Sequence, residues 1–452
     1  MSRTRLRTTV AVAVAAATTV GLSGCAGFGG GGLAGRDDTN AVNVLMVNNP
    51  QMVDLQRLTS RFTQETGITV NYTVLPENDV RAKISQEFSA QAGLYDVASL
   101  SNFEIPIYGR AGWVAPLNDF IAADSGFDQD DIMDSMQQSL SVDGTVYGQP
   151  FYGESSFLMY RKDLTDAKGI TVPSNPTWDQ VAELAAQLDG AEPGMKGICL
   201  RGMPGWGQVF APLTTVVNTF GGTWFDANWA PQVNAAPFKD AVNFYVTLLK
   251  EHGQAGAAQS GFTECLNAMV TGRTAMWYDA TSAAGSLEAE GSQYRGKFGY
   301  VAAPVKETQS SGWLYTWAWA IQNGSPRKDA AWKFISWASG KDYEKLVGQQ
   351  VGWANVPAGK RASTYQIPEY LQVASAFAEP TKLAIENADP NNPGVQPRPA
   401  PGIQFVGIPE FPALGTRVSQ DISAVIAGQM SVDEALDRGQ AAAELVASRY
   451  QK

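Results

Sequence analysis

Histidine is nearly missing from this chain: His252 stands alone among 452 residues, so His-based catalytic triads and multi-His metal sites are excluded. Cysteine is scarce as well, with three in all, and none has a neighbour at zinc-ligand spacing. Positive charge is in deficit, 33 Lys and Arg against 44 Asp and Glu, a net of −11 that disfavours nucleic acid and anionic lipid as partners. Downstream of the N-terminal region no apolar run is long enough to span a bilayer, which takes about 20 residues. Repeats of solenoid period are absent too. No metal and no cofactor are expected.

The N-terminus has its own pattern. Arg3, Arg5 and Arg7 precede a short apolar run, Val10 to Val20, and then "LSGC" at 22 to 25. That is the layout of a signal peptide over residues 1–24, and "LSGC" resembles a lipobox, which implies lipidation of Cys25. Cleavage there would remove three arginines and no acid, taking the net charge from −11 to −14. Residues 25–40, "CAGFGGGGLAGRDDTN", read as a flexible tether of roughly 20 Å reach, so the body would hang from the outer face of a bacterial cell membrane. Cys199 and Cys265 remain, and in an exported protein they could form a disulfide or stay as two buried thiols.

At 452 residues, two lobes are the default expectation. "AVNVLMV" at 41 to 47 reads as a strand, followed by Leu55, Leu58 and Phe62 at helical spacing with a stop at Gly67. "ITVNYTVLP" alternates as a half-buried strand, Val80, Ile84 and Phe88 mark a second helix, and "YDVASL" a third strand. This is a parallel α/β unit, in which ligands bind beyond the carboxyl ends of the strands, where Asn48, Asn49, Ser101, Asn102 and Glu104 fall. A second series follows: a Thr177-capped helix, a helix carrying Phe238, Val242, Tyr245 and Leu249, strands in "FGYVAAPV" and "WLYTWAWAI", and a helix in "KDAAWKFISWASG".

Several stretches resemble the extracellular sugar-binding subunits of ATP-driven (ABC-type) importers. They are "TVYGQPFYGESSFLMYRKDL", "AMVTGRTAMWYDAT" and "TWAWAIQNGSPRKDAAWKFISWAS", within a likeness running from about Val44 to Leu436. The likeness narrows to the polyol-binding branch through "LPEN", "YGESSF", "GICLRGMPGWG", "FGGTWFD", "MWYDAT" and "GIQFVGIPEF". Departures occur at Gln208 and Val209, where relatives carry an acid and an Asn, and in the loop "RPAPGIQF". The resemblance implies a two-lobed, periplasmic-binding-protein-like α/β fold with a ligand cleft between lobes and several crossings. The lobes would be residues 41–151 with 306–347, and residues 152–305 with 348–452. It also implies a monomeric, non-enzymatic binder that closes on a sorbitol, mannitol or arabitol-like polyol and delivers it to a membrane permease.

A polyol offers only hydroxyls and C–H surface, so its site needs acceptors, donors and aromatic walls. The expected ligand-binding residues are Asn49, Glu104, Glu154, Arg201, Trp224, Asp226, Asp279, Trp313 and Trp353. Four have a bland counterpart: Asn49 as a helix cap, Glu104 as a solvated charge, Glu154 as a hinge hydrogen bond, Arg201 as half of an ion pair. Trp317 and Trp319 share a strand face with Trp313 and are assigned to the core, and Trp206 stays open between cleft wall and loop wedge. A monosaccharide or disaccharide ligand is the alternative. A secreted glycoside hydrolase is the competing class, pairing Glu154 with Asp279 or Asp226 with Glu104.

Overall fold

The computed structural model describes residues 40–451; the leader, Cys25 and most of the tether lie outside the described residues. Strand β1 (Ala41–Val47) is buried almost throughout, as its unbroken apolar run requires, and lies between β2 (Thr69–Leu75) and β3 (Val97–Ser101), parallel to both. The intervening helices follow the apolar spacing. Pro50–Thr66 buries Leu55 and Phe62 and stops at Gly67, whose φ of 72° needs a residue without a side chain. Glu77–Ser89 buries Val80, Ile84 and Phe88.

Beyond a small hairpin, β4 (Ser141–Val142) with β5 (Thr145–Val146), the chain enters β6 (Gln149–Glu154) and β7 (Ser156–Arg161). The remaining strands are β8 (Lys196–Cys199), β9 (Thr274–Ala280), β10 (Phe298–Ala302) and β11 (Tyr315–Ile321). Two sheets result, ordered β2-β1-β3-β11-β6 and β10-β7-β9-β8. β11 runs antiparallel to β3 and β6, so the first sheet is mixed. The chain passes between the sheets at Ser155 and again between Ala302 and Tyr315. All seven residues of β11 are buried, because a central strand has no wet face; its alternation is one of residue size.

Thr177 caps the helix Trp178–Leu188 in a reciprocal box with Gln180. Helix Lys328–Ser339 packs on the first sheet, while Phe411–Ile426 and Val432–Ala447 pack together and against Ala236–His252. Cys199 at the end of β8 and Cys265 in helix Phe262–Val270 are joined by a disulfide, inside a buried cluster with Met269 and Trp277. Among the described residues no helix is long and apolar enough to cross a membrane.

Candidate functional site

The point where the chain changes sheets is also where a polar cavity opens. It is bordered by Asn49, Glu154, Arg201 and Trp313 together with Tyr315 and Trp317, and about 390 Å³ there, open solvent included, is unfilled by protein atoms. The carboxyl ends of β1 and β6 and the start of β11 deliver the first-sheet residues; the loop after β8 delivers Arg201.

Asn49 precedes helix Pro50–Thr66, yet its side chain makes no cap: Nδ2 donates to the Tyr152 hydroxyl at 2.8 Å. That leaves the amide oxygen to accept from a ligand. Glu154 Oε2 accepts from Ser282 Oγ. Burial pushes the Glu154 carboxyl up to about 8, against the opposing pull of the Ser282 hydrogen bond and the Arg201 charge. Arg201 donates from Nε and Nη2 to Asp279 at 2.7 and 2.5 Å, and from Nη1 to the Gly207 carbonyl at 3.1 Å. Three of its five N–H groups are thereby used, and two are left for hydroxyl oxygens. Trp313 is fully buried, and its Nε1 has no hydrogen-bond partner in the protein. The same holds for the core indoles of Trp178, Trp224 and Trp319, so what marks Trp313 is its place in the cavity wall.

The other expected residues lie elsewhere. Asp279 is fully buried behind Arg201, its oxygens taken by the guanidinium, Trp277 Nε1 and the Ala280 amide, so it orients Arg201. Glu104 accepts at Oε2 from Arg81 and from the Ser101 amide and hydroxyl, and does not border the cavity. It is buried as well, so the solvated-charge alternative is also set aside. Trp224 is core, with edge-on contacts to Phe210, Phe238 and Phe411. Asp226 folds its own turn by accepting from the Asn228 and Ala230 amides. Trp353 lies against Gly348 of the helix Lys341–Gln350, where a Cβ would sit 2.3 Å from its ring.

Several wall residues were not among those expected from the sequence. Glu77, Tyr152, Gln404 and Phe405 were inside motifs already singled out, "LPEN", "YGESSF" and "GIQF", but spacing alone does not say which side chain turns inward. Trp317 also reaches the cavity, whereas Trp319, assigned with it to the core, does pack there, 5.6 Å from Phe334. Ser282 and Phe262 carried no signal. Trp206 does not border the cavity; it packs against Phe103 and Phe405 with the Arg81 guanidinium 4.2 Å from its ring.

Two sheets exchanging strands around a polar, aromatic-walled cavity define a two-lobed solute receptor, and the family comparison agrees. Residues 49–345 match the model for bacterial extracellular solute-binding proteins, and the chain belongs to that family. A mannitol-binding protein of Pseudomonas aeruginosa is 41% identical over 403 residues, 88% of this chain and 91% of the relative. An erythritol/L-threitol-binding protein of Mycolicibacterium smegmatis is 27% identical, over 76% of this chain and 78% of its own. Among solved structures, an ABC transporter solute-binding protein of Agrobacterium vitis with bound D-mannitol superposes with a TM-score of 0.88 at 41% identity, covering 91% of this chain and 99% of that one.

Proposed function

We propose that this chain captures an acyclic sugar alcohol such as mannitol, sorbitol or arabitol between two lobes and hands it to the membrane permease of an ABC importer. The observation that carries the reading is the pairing of an acceptor, Glu154, with a donor, Arg201, in a cavity walled by Trp313, Tyr315 and Trp317. Charge-assisted hydrogen bonds serve the hydroxyls, and the ring faces cover the C–H surface of the carbon chain. The relatives named for mannitol and for erythritol or threitol support the same ligand class.

The lobes are residues 41–154 with 306–347 and residues 155–305 with 348–452; the first boundary falls later than the 151 expected from sequence because β6 pairs with β11 in the first sheet as far as Glu154. The protein acts as a monomer without catalysis. Neither carboxylate pair considered for glycoside hydrolysis is placed for it: Asp279 is consumed by Arg201, and Asp226 and Glu104 both lie off the cavity. Cleavage after residue 24 and lipidation of Cys25 tether it to the outer face of the cell membrane. Labelling of the exported protein with radioactive palmitate, lost on Cys25→Ser, tests the anchor.

A thermal-shift screen over polyols, monosaccharides and disaccharides tests the ligand class. Mannitol, sorbitol or arabitol raises the melting temperature through linkage while disaccharides do not. Stabilisation by maltose or trehalose with none by polyols overturns the assignment, and turnover of glycosides overturns the absence of catalysis.

A further inference from the structure

Arg81, on the helix Glu77–Ser89, is buried and spends its guanidinium on residues that surround the cavity without bordering it itself. Nε and Nη2 donate to Glu77 Oε1 at 3.1 and 2.9 Å, and Nη2 also donates to the Tyr315 hydroxyl at 2.5 Å. Glu77 and Tyr315 are both wall residues. Nη1 donates to Glu104 at 2.7 Å, and Glu104 is itself pinned by the Ser101 amide and hydroxyl. An anchored carboxylate thus fixes the arginine, and the arginine aims two cavity side chains.

Two indole rings also lie beside the guanidinium. Its carbon lies 4.8 Å from the Trp317 ring and 4.2 Å from the Trp206 ring. Trp317 belongs to the first sheet, whereas Trp206 comes from the loop after β8 in the second. Two neighbouring contacts join the same pieces: Asn78 Nδ2 donates to the Pro204 carbonyl at 3.0 Å, and Gln208 Nε2 donates to Glu77 Oε2 at 3.0 Å. All of these contacts join one protein group to another.

Resting on the polyol reading above, we infer that Arg81 is a positioning residue that couples lobe closure to assembly of the cavity wall. The first lobe holds Arg81 against Glu77 and Tyr315, and closure brings the Trp206 ring over the guanidinium. A planar guanidinium can be forked in its plane and stacked on its faces at once, which an ammonium cannot. Desolvated cation–π stacking makes the closed form more favourable by an amount independent of which polyol is inside.

The test compares wild type with Trp206→Leu and Arg81→Lys, by calorimetric titration with mannitol, sorbitol and arabitol and by small-angle scattering with and without mannitol. Each variant weakens all three polyols by a common factor of about tenfold, and ligand-free Trp206→Leu has a larger radius of gyration than wild type while the two coincide when saturated. A purely structural role lowers the melting temperature and leaves the ligand-free radius and the affinities unchanged, which overturns the inference; so does a factor that differs tenfold between polyols. If Arg81→Lys does not fold, Trp206→Leu decides. Should wild type bind no polyol, the polyol reading fails alone, and the ligand-free radius of Trp206→Leu still decides the role of Arg81.

Discussion

Arg201 and Asp279 meet side by side, Nε and Nη2 of the guanidinium donating to the two carboxylate oxygens at 2.7 and 2.5 Å with both residues buried. Arg201 borders the cavity and Asp279 lies behind it, so under the polyol reading proposed above the ligand would face an arginine backed by an acid. Removing the acid leaves a buried cation without its partner, which typically costs about 3–5 kcal/mol. Asp279→Ala therefore lowers the melting temperature and weakens polyol binding, whereas Arg201→Met loses binding at least tenfold more than Glu104→Gln does. Calorimetric titration beside thermal denaturation checks both.

The disulfide separates two covalently linked positions by 66 residues, and closing a loop of that length stabilises the fold by about 4 kcal/mol in the chain-entropy model. Cys199→Ala with Cys265→Ala therefore lowers the melting temperature by roughly 5 °C for a chain of this size. Arg201 lies two residues beyond Cys199, so polyol affinity falls with it. An unchanged melting temperature in reducing agent would show that the bond contributes nothing to stability.

The fold was legible where periodicity is strong: β1 to β3 and their helices, the capped helix after Thr177, and β11 were all visible as apolar runs or helical stripes. The cavity wall was legible where a residue ended a strand or stood alone as a charge, as Asn49, Glu154 and Arg201 do. Trp224 and Trp353 misled because a glycine-flanked indole looks exposed, yet Phe210, Phe238 and Phe411 enclose the first and Gly348 receives the second. Glu77 and Tyr152 were hidden because their direction depends on Arg81 and Asn49, contacts that no local pattern encodes.

The glycines of "CLRGMPGWG" separate stability from closure. A Cβ on Gly202 would lie 2.4 Å from the Ala257 carbonyl oxygen, and backbone cannot easily give way. A Cβ on Gly207 would lie 2.4 Å from Glu77 Oε1, the end of a side chain on the other sheet's helix. Gly202→Ala accordingly lowers the melting temperature, and Gly207→Ala keeps the fold but weakens polyol binding about tenfold or more. Equal melting temperatures for the two variants would contradict this division.

Glu154 makes binding and stability run in opposite directions with pH. Its carboxyl, ordinarily near 4.5, is raised to about 8 by burial, so the folded, ligand-free protein holds a proton there at neutral pH that the unfolded chain releases. Between those two values the folded state binds more protons than the unfolded state, and the stability of the ligand-free protein falls as pH rises from about 4.5 to about 8. A polyol hydroxyl donating to this carboxyl favours the ionised form. Affinity therefore rises with pH up to about 8 and then levels. Glu154→Gln removes both trends and weakens binding at pH 8, where the charged acceptor is most populated. Titration of mannitol between pH 5 and pH 9, alongside melting of the ligand-free protein across the same range, reads the two slopes; a flat affinity profile in the unmodified protein would show that the carboxyl meets no ligand hydroxyl.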